Sequence, residues 1–404
     1  MAAEYDKLLN DYNLLLIRYT GEIWLKSTKV KMRMIHILMD NIKKMLEKKA
    51  IHYHKYQLSK DATRIFFFFN NKDLPRAIKT LSKTFGVYSI SPAIRTSNRM
   101  KNIIERTLEV GAKILTLEDT FALRVKRSGD HDFSSQDVAR KAGKAILDHF
   151  PNLNLQVDLG APKKIIYIEV RGEFSYIFTD IIISKWKGLP IKETRKVLVM
   201  DIGRQYDLLA GMFLMRRGCK IKPILFKITD NQEEWNKRIS NWREIVSFTP
   251  LTTISAFQLD LTESLNIVRK KLDSTDSICS LCRLMRFKVI GRLLEDESPE
   301  LQDYMAVTDG FTHNNISLCP DETDLQTMVF CDKLLMTPLI GFAENKINTY
   351  LSYISDDLNP IDYCKYKPKG QRFDSDTLKE LCSSLNIENL ITQIIESQKE
   401  VIIQ

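Results

Sequence analysis

The spacing of hydrophobic residues over the first hundred positions predicts alternating strands and helices. Leu14–Tyr19 is apolar throughout most of its length, and Thr28–Lys48 repeats its apolar residues at the spacing of one helical face. Further strand or helix patterns follow at Ile51–Gln57, Arg64–Phe69, Leu74–Phe85 and Val87–Ser91. The order strand–helix–strand–strand–helix–strand predicts a ferredoxin-like fold. The Phe residues of Arg64–Phe69 should fill a core and not form a stacking platform, because consecutive strand residues point to opposite faces.

A second group of elements follows and ends at a boundary marked by Gly188 and Pro190. Its patterns predict helices near Lys101–Ile114 and Gln136–His149. Strands are predicted at Phe121–Lys126, Leu153–Leu159, Ile165–Val170 and Tyr176–Ile183.

From Lys196 onward, short apolar strands alternate with helical patterns. The predicted strands are Val197–Met200, Ile221–Phe226, Thr253–Gln258 and Met305–Thr308, and helices are predicted to close the chain. This alternation predicts an α/β domain with an open parallel sheet. Ligands of such sheets bind at the carboxyl ends of the strands, so the loops after Met200 and Thr308 are the expected site.

Charge is divided unevenly along the chain. Residues 1–190 contain 33 Lys and Arg against 20 Asp and Glu, a net charge of +13, whereas the remainder carries −4. A surplus of this size suits a phosphate backbone. A general enrichment in Lys is the alternative, but it does not explain the acidic second half.

There is no apolar run of about eighteen residues, which predicts that no membrane is spanned. The seven cysteines and the lack of a secretory signal pattern predict a cytoplasmic protein.

The stretch Phe121–Ser135 combines cations with a turn and the start of a helix. Arg124, Lys126 and Arg127 lie at the end of the predicted strand, and Asp132 or Ser134 is placed to cap the following helix. Cations beside free backbone N–H groups form an anion site, for which phosphate is the obvious ligand. The alternative is a solvated strand edge without a ligand.

This stretch closely resembles the signature of the THUMP domain, an RNA-binding module of tRNA-modifying enzymes. Further motifs agree with it, namely Val157–Leu159, Pro162, Ile168–Arg171 and Gly188–Pro190. The whole chain resembles the tRNA 4-thiouridine synthetase family of ATP-dependent tRNA sulfurtransferases, whose N-terminal motif is similar to Arg18–Lys26.

The resemblance implies three domains. These are a ferredoxin-like domain over 1–95, a THUMP domain over 96–190 and a Rossmann-like pyrophosphate-loop domain over 191–404, of the adenine nucleotide alpha hydrolase type. It also implies tRNA as a partner, a sulfur donor protein or sulfide, and a homodimer. RNA contacts are then expected from Arg124, Lys126, Arg127, Asp130 and Asp132.

The family's pyrophosphate loop, Ser-Gly-Gly-x-Asp-Ser, is replaced here by Asp201–Asp207. Only Gly203 remains of its small residues, and bulky Arg204 and its neighbours should block close approach of the backbone to phosphate. The carboxylates of Asp201 and Asp207 should repel ATP unless Mg²⁺ bridges the charges. Asp207 is expected to cap the next helix and to take the N–H groups that a phosphate needs.

A second nucleotide motif of the family corresponds to Thr308–Asn314 and is also degraded. The expected nucleotide site therefore consists of Asp201, Gly203, Arg204, Asp207 and Thr308, and weak ATP binding is predicted.

Cys279 and Cys282 form a C-x-x-C motif at the start of a predicted helix, and Cys364 follows later. A lone C-x-x-C is a weak signal, since zinc, a disulfide and an iron–sulfur cluster all use it. The resemblance implies that these three cysteines are the catalytic sulfur-handling residues. They would bind three irons of a [4Fe–4S] cluster and leave the fourth iron for sulfide.

Two alternatives to the cluster stay open. A zinc site would need a fourth ligand, for which His313, Cys319 and Cys331 are candidates. Thiols without any metal are the other alternative. Cys219 and Cys382 are expected to be ordinary buried residues.

The sequence leaves two functions to be separated. One is a tRNA-binding protein of this family, linked to thiolation but without its own adenylation step. The other is an active ATP-dependent tRNA uridine sulfurtransferase with a divergent ATP loop.

Overall fold

The structure is a computed structural model that describes residues 8, 10–272, 278–295, 301–312, 334–361, 364 and 375–404. The chain forms two compact units, Met1–Leu189 and Pro190–Gln404. No helix among the described residues is long and apolar enough to cross a membrane.

The first unit contains the predicted ferredoxin-like order of elements. Its strands are β1 (Leu14–Tyr19), β2 (Lys55–Leu58), β3 (Ile65–Phe68), β4 (Val87–Ser97), β5 (Thr120–Ser128), β6 (Gln156–Val157), β7 (Lys164–Arg171), β8 (Phe174–Phe178) and β9 (Ile182–Ile183). Its helices are α1 (Gly21–Trp24), α2 (Thr28–Lys48), α3 (Leu74–Leu81), α4 (Met100–Ile114) and α5 (Ser135–His149). Four predictions were too long. Ile51–Gln57 and Leu74–Phe85 shrink to β2 and α3, Leu153–Leu159 shrinks to β6, and Tyr176–Ile183 divides into β8 and β9.

The strands of the first unit form one continuous sheet in the order β2-β3-β1-β4-β8-β7-β5-β6, and β9 also pairs with β4. Strand β4 joins two halves of this sheet. Its first part, Val87–Ala93, pairs antiparallel with β1, and its second part, Ile94–Ser97, pairs antiparallel with β8. The predicted boundary between residues 95 and 96 therefore falls inside one strand.

The four consecutive Phe residues of β3 and its end fill the core on both sides of the sheet. Phe67 and Phe69 pack in the larger core cluster, whereas Phe66 and Phe68 pack in a separate cluster on the other face. All four are buried. The prediction that these rings are core residues and not a stacking platform is confirmed.

The second unit is built on a six-stranded sheet. Its strands are β10 (Lys192–Asp201), β11 (Cys219–Lys227), β12 (Ile254–Asp260), β13 (Tyr304–Thr308), β14 (Leu334–Met336) and β15 (Lys399–Ile403). Its helices are α6 (Gln205–Arg216), α7 (Gln232–Val246), α8 (Thr262–Lys271), α9 (Ile278–Glu295), α10 (Glu344–Leu351), α11 (Ser375–Ser384) and α12 (Ile387–Glu396). The parallel α/β sheet predicted from the sequence is confirmed.

The sheet order is β14-β13-β10-β11-β12-β15. All neighbouring pairs are parallel except β12 and β15, which are antiparallel. The expectation that helices close the chain was wrong, because β15 follows α12 and covers the edge of β12. Strand β10 lies between β11 and β13, so the order in which successive strands are added to the sheet reverses beside it. The loops after β10 and β13 consequently lie at the topological switch point, where ligands of open sheets bind.

Candidate functional site

The end of strand β5 presents three cations to solvent. Arg124, Lys126 and Arg127 are all exposed. The guanidinium of Arg127 donates a hydrogen bond to the backbone oxygen of His131 at 3.1 Å. The guanidinium of Arg124 donates to the backbone oxygen of Leu159. Both arginines are thus held near the loop by neutral acceptors, which leave their positive charge intact.

The helix that follows this loop has a cap of its own. Ser134 is the N-cap of α5, and its hydroxyl accepts the backbone N–H of Asp137 at 3.1 Å. The Asp137 carboxylate accepts the Ser134 N–H at 3.0 Å, and this bond lowers the pKa of Asp137. Ser134 therefore caps the helix, and Asp132 does not; Asp130 and Asp132 are both exposed in the loop. An anion at this place would be bound mainly by the side-chain cations of β5.

A buried carboxylate on β7 gathers three arginines. Glu169 is only 3% exposed, and its oxygens lie 2.9 Å from Arg18, 3.0 Å from Arg64 and 2.8 Å from Arg171. Burial raises the pKa of Glu169, but the three guanidiniums outweigh it and bring that pKa to about 2. Arg171 also pairs with Asp61 at 2.7 Å. This cluster ties β1 and Arg64, the residue before β3, to β7 by charge-assisted bonds.

Sequence analysis found only some of the residues in this charged cluster around Glu169. Arg18, Glu169 and Arg171 stand in motifs quoted above, but no role was predicted for them, and Arg64 and Asp61 were missed. Arg64 and Glu169 are 105 residues apart in the sequence, so no local sequence pattern indicates that they are in contact.

In the second unit, backbone and side-chain donors of the loop between β10 and α6 bind the carboxylate of Asp207. Asp207 has no exposed surface, and its Oδ2 accepts the backbone N–H of Ile202 at 3.1 Å. Its Oδ1 accepts the backbone N–H of Gly310 at 2.9 Å. The Arg204 guanidinium donates two further bonds, at 3.2 and 2.6 Å. A buried anion at this helix start already receives the donors that a phosphate oxygen would use.

The helix geometry corrects one prediction about this residue. Arg204 is the N-cap of α6 and Gln205 its first residue. Asp207 therefore lies in the first helical turn and is not the N-cap. A carboxylate in the first turn still interacts favourably with the helix dipole.

The two loops that were expected to bind the nucleotide are in direct contact. A Cβ atom added to Gly310 would lie 2.3 Å from the backbone nitrogen of Asp207, so only glycine fits there. Thr308, at the end of β13, is buried, and its hydroxyl donates to the backbone oxygen of Met336 at 2.8 Å. The loop after β13 is thus packed against the start of α6. The contact brings Gly310, two residues after Thr308, against Asp207.

Asp201 ends β10 and is the second buried carboxylate of the loop, with 2% exposure. It pairs with Arg238 at 3.1 Å and accepts the Trp242 indole N–H and the Gly203 backbone N–H. Burial raises the pKa of Asp201, nearby Asp207 raises it further, and Arg238 opposes both. Arg238 and Trp242 were missed, although their spacing of four residues places them on one face of α7.

The cleft beside this loop is small. The cavity lined by Ile202, Gly203, Lys227, Trp235 and Arg238, among the described residues, has a volume of about 20 Å³. One water occupies roughly 30 Å³ of liquid, and pockets for small ligands measure roughly 300–1,000 Å³. The part of the cleft that the structure describes holds no more than about one water molecule.

The cysteines that the structure describes in the second unit are partly buried. Cys279 and Cys282 lie in α9, and they pack with Cys364 against the same apolar cluster. Within the described ranges, no three His, Cys, Asp or Glu side chains are grouped closely enough to hold a metal ion. The metal site expected at Cys279, Cys282 and Cys364 therefore stays a prediction. The zinc candidates His313, Cys319 and Cys331 lie outside the described residues.

Two other cysteines behave as expected of ordinary thiols. Cys219 and Cys382 are half-buried, and burial raises the pKa of both. A raised pKa lowers the thiolate fraction at neutral pH, which makes these thiols less reactive.

Comparison with known proteins identifies the family. The family model of the ThiI ferredoxin-like domain matches residues 14–91, and that of the THUMP domain matches residues 97–180. A probable tRNA sulfurtransferase of Saccharolobus islandicus strain M.16.27 is 32% identical, over 83% of this chain and 84% of its own length. This chain belongs to the tRNA sulfurtransferase family.

Another member of the tRNA sulfurtransferase family shows that the similarity extends over nearly the full length. A probable tRNA sulfurtransferase of Methanobrevibacter smithii is 25% identical over 96% of this chain and 99% of its own.

Solved structures share the fold. A 4-thiouridine synthetase crystallised with RNA and bound ATP superposes with a TM-score of 0.77 at 18% identity, over 97% of this chain and all of that one. The protein PH1313 of Pyrococcus horikoshii superposes with a TM-score of 0.62 at 21% identity, over 83% of this chain and 97% of its own. The ferredoxin-like, THUMP and parallel-sheet architecture is thus the one predicted.

Proposed function

We propose that this chain binds tRNA and takes part in tRNA thiolation without adenylating the tRNA itself. Membership of the tRNA sulfurtransferase family supports the link to thiolation. The THUMP match and the exposed cations Arg124, Lys126 and Arg127 support tRNA as the ligand. A net charge of +13 over residues 1–190 favours binding of a phosphate backbone.

The observation that carries the second half of the proposal is the buried carboxylate of Asp207. It accepts backbone N–H groups from both loops of the expected nucleotide site, from Ile202 and from Gly310. A phosphate would have to displace this carboxylate and break its pair with Arg204. If the carboxylate stayed within about 4 Å, it would repel each phosphate charge by roughly 1 kcal/mol in water and 4 kcal/mol at an effective dielectric of 20.

An active ATP-dependent tRNA sulfurtransferase with a divergent loop is the second candidate. One observation favours it: Gly203 keeps a left-handed backbone with φ of 99°, so the loop still turns where a pyrophosphate loop would. In this candidate, Mg²⁺ would bridge the phosphates to Asp201 and Asp207. Both carboxylates would first have to leave their present partners, Arg238 and Arg204.

Calorimetry with Mg²⁺–ATP, in the absence and presence of tRNA, separates the two candidates. The proposal expects tRNA binding, no measurable ATP binding below millimolar concentration, and no thiolated tRNA on a mercury gel with sulfide as donor. The matched variant is Asp207→Asn, which keeps the shape of the side chain and removes its charge. Micromolar ATP affinity in the wild-type chain, or a thiolated band that disappears in Asp207→Asn, would establish the second candidate.

The sulfur source and the assembly state belong to the same proposal. Sulfur would come from sulfide or from a donor protein, and the chain would act as a homodimer. Sedimentation analysis of the purified protein, with and without tRNA, tests the homodimer.

The iron–sulfur cluster stays a prediction from the sequence. We assign no chemical step to a cluster at Cys279, Cys282 and Cys364. Iron and acid-labile sulfide in protein purified without oxygen, lost in Cys279→Ala and retained in Cys219→Ala, would support it. A colourless preparation, with zinc or without metal, would contradict it.

A further inference from the structure

An open cleft on the ferredoxin-like part combines aromatic rings with positive charge. It measures about 500 Å³, and its lining includes Arg18, Tyr19, Trp24, Arg64 and Tyr88. The RNA contacts expected from β5 do not include any of these lining residues.

Two of these rings are unusually open to solvent for their size. Trp24, the last residue of α1, is 50% exposed, and Tyr88, near the start of β4, is 40% exposed. Trp and Tyr bury large surfaces in most folds. No atom lies within 4 Å of the position that a Cβ on Gly21 would take, so the backbone beside Trp24 is open as well.

Cations stand directly on both rings. The Lys31 ammonium lies 4.4 Å from the centroid of the Trp24 ring, and the Lys187 ammonium lies 5.0 Å from that of Tyr88. Each exposed ring is therefore accompanied by a flexible positive group that can reach a neighbouring anion.

The guanidiniums of the cleft are fixed in place. Arg18 and Arg64 are both bound to the buried Glu169 carboxylate, at 2.9 and 3.0 Å. Arg18 also donates to Ser91 at 3.0 Å. Because these groups lose little further freedom when a ligand arrives, the charge that they present is preorganised.

We infer that this cleft binds an unpaired nucleobase of RNA, with Trp24 and Tyr88 as the stacking rings and Lys31 and Lys187 on the flanking phosphates. The inference rests on the proposed tRNA binding and adds a second contact region to it. Every base has a flat π-face, and aromatic platforms beside cations are the usual way of holding single-stranded segments. The positive charge beside the rings disfavours an apolar or basic protein segment, and the exposed faces of Trp24 and Tyr88 favour a flat nucleobase over an acidic peptide.

The test measures the affinity of the full chain for unmodified tRNA and for a single-stranded RNA of ten nucleotides, at two salt concentrations. Stacking of one base contributes on the order of 1–3 kcal/mol, so Trp24→Ala and Tyr88→Ala should each weaken binding by roughly 5- to 150-fold. Trp24→Phe keeps an aromatic face and should recover most of the affinity. Leu25→Ala removes a neighbouring side chain that is 83% exposed, and serves as the matched control.

The salt dependence distinguishes stacking from phosphate binding. Trp24→Ala should leave the slope of log affinity against log salt unchanged, because it removes no charge. If wild-type protein binds tRNA but Trp24→Ala and Tyr88→Ala bind both RNAs as tightly as Leu25→Ala, the cleft is not an RNA site and the proposed function survives. If the wild-type chain binds neither RNA, the proposed function and the inference are both overturned. A protein that co-purifies with wild type and not with Trp24→Ala, without any change in RNA affinity, identifies a protein partner and also overturns the inference.

Discussion

The backbone N–H of Gly310 donates a hydrogen bond to the side chain of Asp207 over 2.9 Å, across a sequence separation of 103 residues. The two residues belong to the loops after β13 and β10, which meet at the switch point of the parallel sheet. The Asp207 carboxylate thus links the two loops that were expected to form the nucleotide site. A ligand for this place has to compete with an internal group whose effective concentration is very high.

Removing the Asp207 carboxylate should destabilise the second unit. Asp207→Ala removes the buried carboxylate that pairs with the Arg204 guanidinium, which is 12% exposed. Breaking one side of a buried ion pair costs about 3–5 kcal/mol. Urea denaturation should show this loss in the free energy of unfolding.

A double replacement provides the control for this effect. Arg204→Met together with Asp207→Leu removes both charges, and it should cost clearly less than Asp207→Ala alone. A single variant that unfolds within about 1 kcal/mol of wild type would show that the pair does not stabilise the loop.

Glu169 should make the first unit sensitive to acid. Its pKa lies at about 2 in the folded protein, below the ordinary 4.5, because three guanidiniums outweigh the effect of burial. A lowered folded pKa stabilises the protein above the unfolded pKa, and this contribution is lost as the pH falls from about 4.5 towards 2. The shift corresponds to about 3 kcal/mol.

Glu169→Gln should therefore be less stable than wild type at pH 7, with the difference shrinking as the pH approaches 2. Glu173→Gln changes an exposed residue next to β8 and should follow the wild-type curve. Thermal or urea unfolding across this pH range measures both. Parallel curves for wild type and Glu169→Gln would refute the role of the cluster.

Neutralising the cations of β5 should weaken tRNA binding. Replacing Arg124, Lys126 and Arg127 by Gln removes up to three phosphate contacts. The slope of log affinity against log salt should then flatten by roughly 0.7–0.9 for each lost contact. Filter binding at several salt concentrations gives this slope directly.

The control carries the same change in net charge on another surface. Lys101, Arg106 and Lys113 are exposed residues of α4. Their joint replacement by Gln should alter the slope much less than the β5 variant does. Equal effects of the two triple variants would mean that tRNA senses only the overall charge.

The thiols of Cys219 and Cys382 should react slowly with alkylating reagents in the native protein. Burial raises the pKa of both, so the thiolate fraction at neutral pH falls below that of a free cysteine. Peptide mass spectrometry of iodoacetamide labelling against pH should show midpoints above that of a free cysteine. Midpoints at or below it would contradict the burial described for these side chains.

Local patterns were sufficient for much of the fold. The strand Leu14–Tyr19 and the helix Thr28–Lys48 were predicted with the observed bounds, because their hydrophobic periodicity is strong and their flanks are polar. The strand Lys399–Ile403 was missed, since it is short and follows directly on a helix. Its place in the sheet depends on pairing with β12, far away in sequence.

The candidate site was harder to predict than the fold. The sequence showed that carboxylates replace the small residues of the pyrophosphate loop, but not which side-chain oxygen accepts which N–H. Asp207 was expected at the N-cap and lies instead in the first turn, because the helix begins one residue after Arg204. The partners of Glu169 are equally invisible in sequence, since they come from strands brought together only by the folded sheet.

Strand β4 makes the ferredoxin-like and THUMP domains structurally dependent on each other, although their names suggest separate modules. Because Val87–Ala93 bonds to one half of the sheet and Ile94–Ser97 to the other, the RNA-binding module cannot be exchanged between genes as a cassette at that point. Dividing the chain within β4 would divide the strand that both halves of the sheet share. Each half would then expose unpaired strand edges, which promote aggregation. A recombinant protein, natural or engineered, should therefore fold only if residues 1–189 are transferred together.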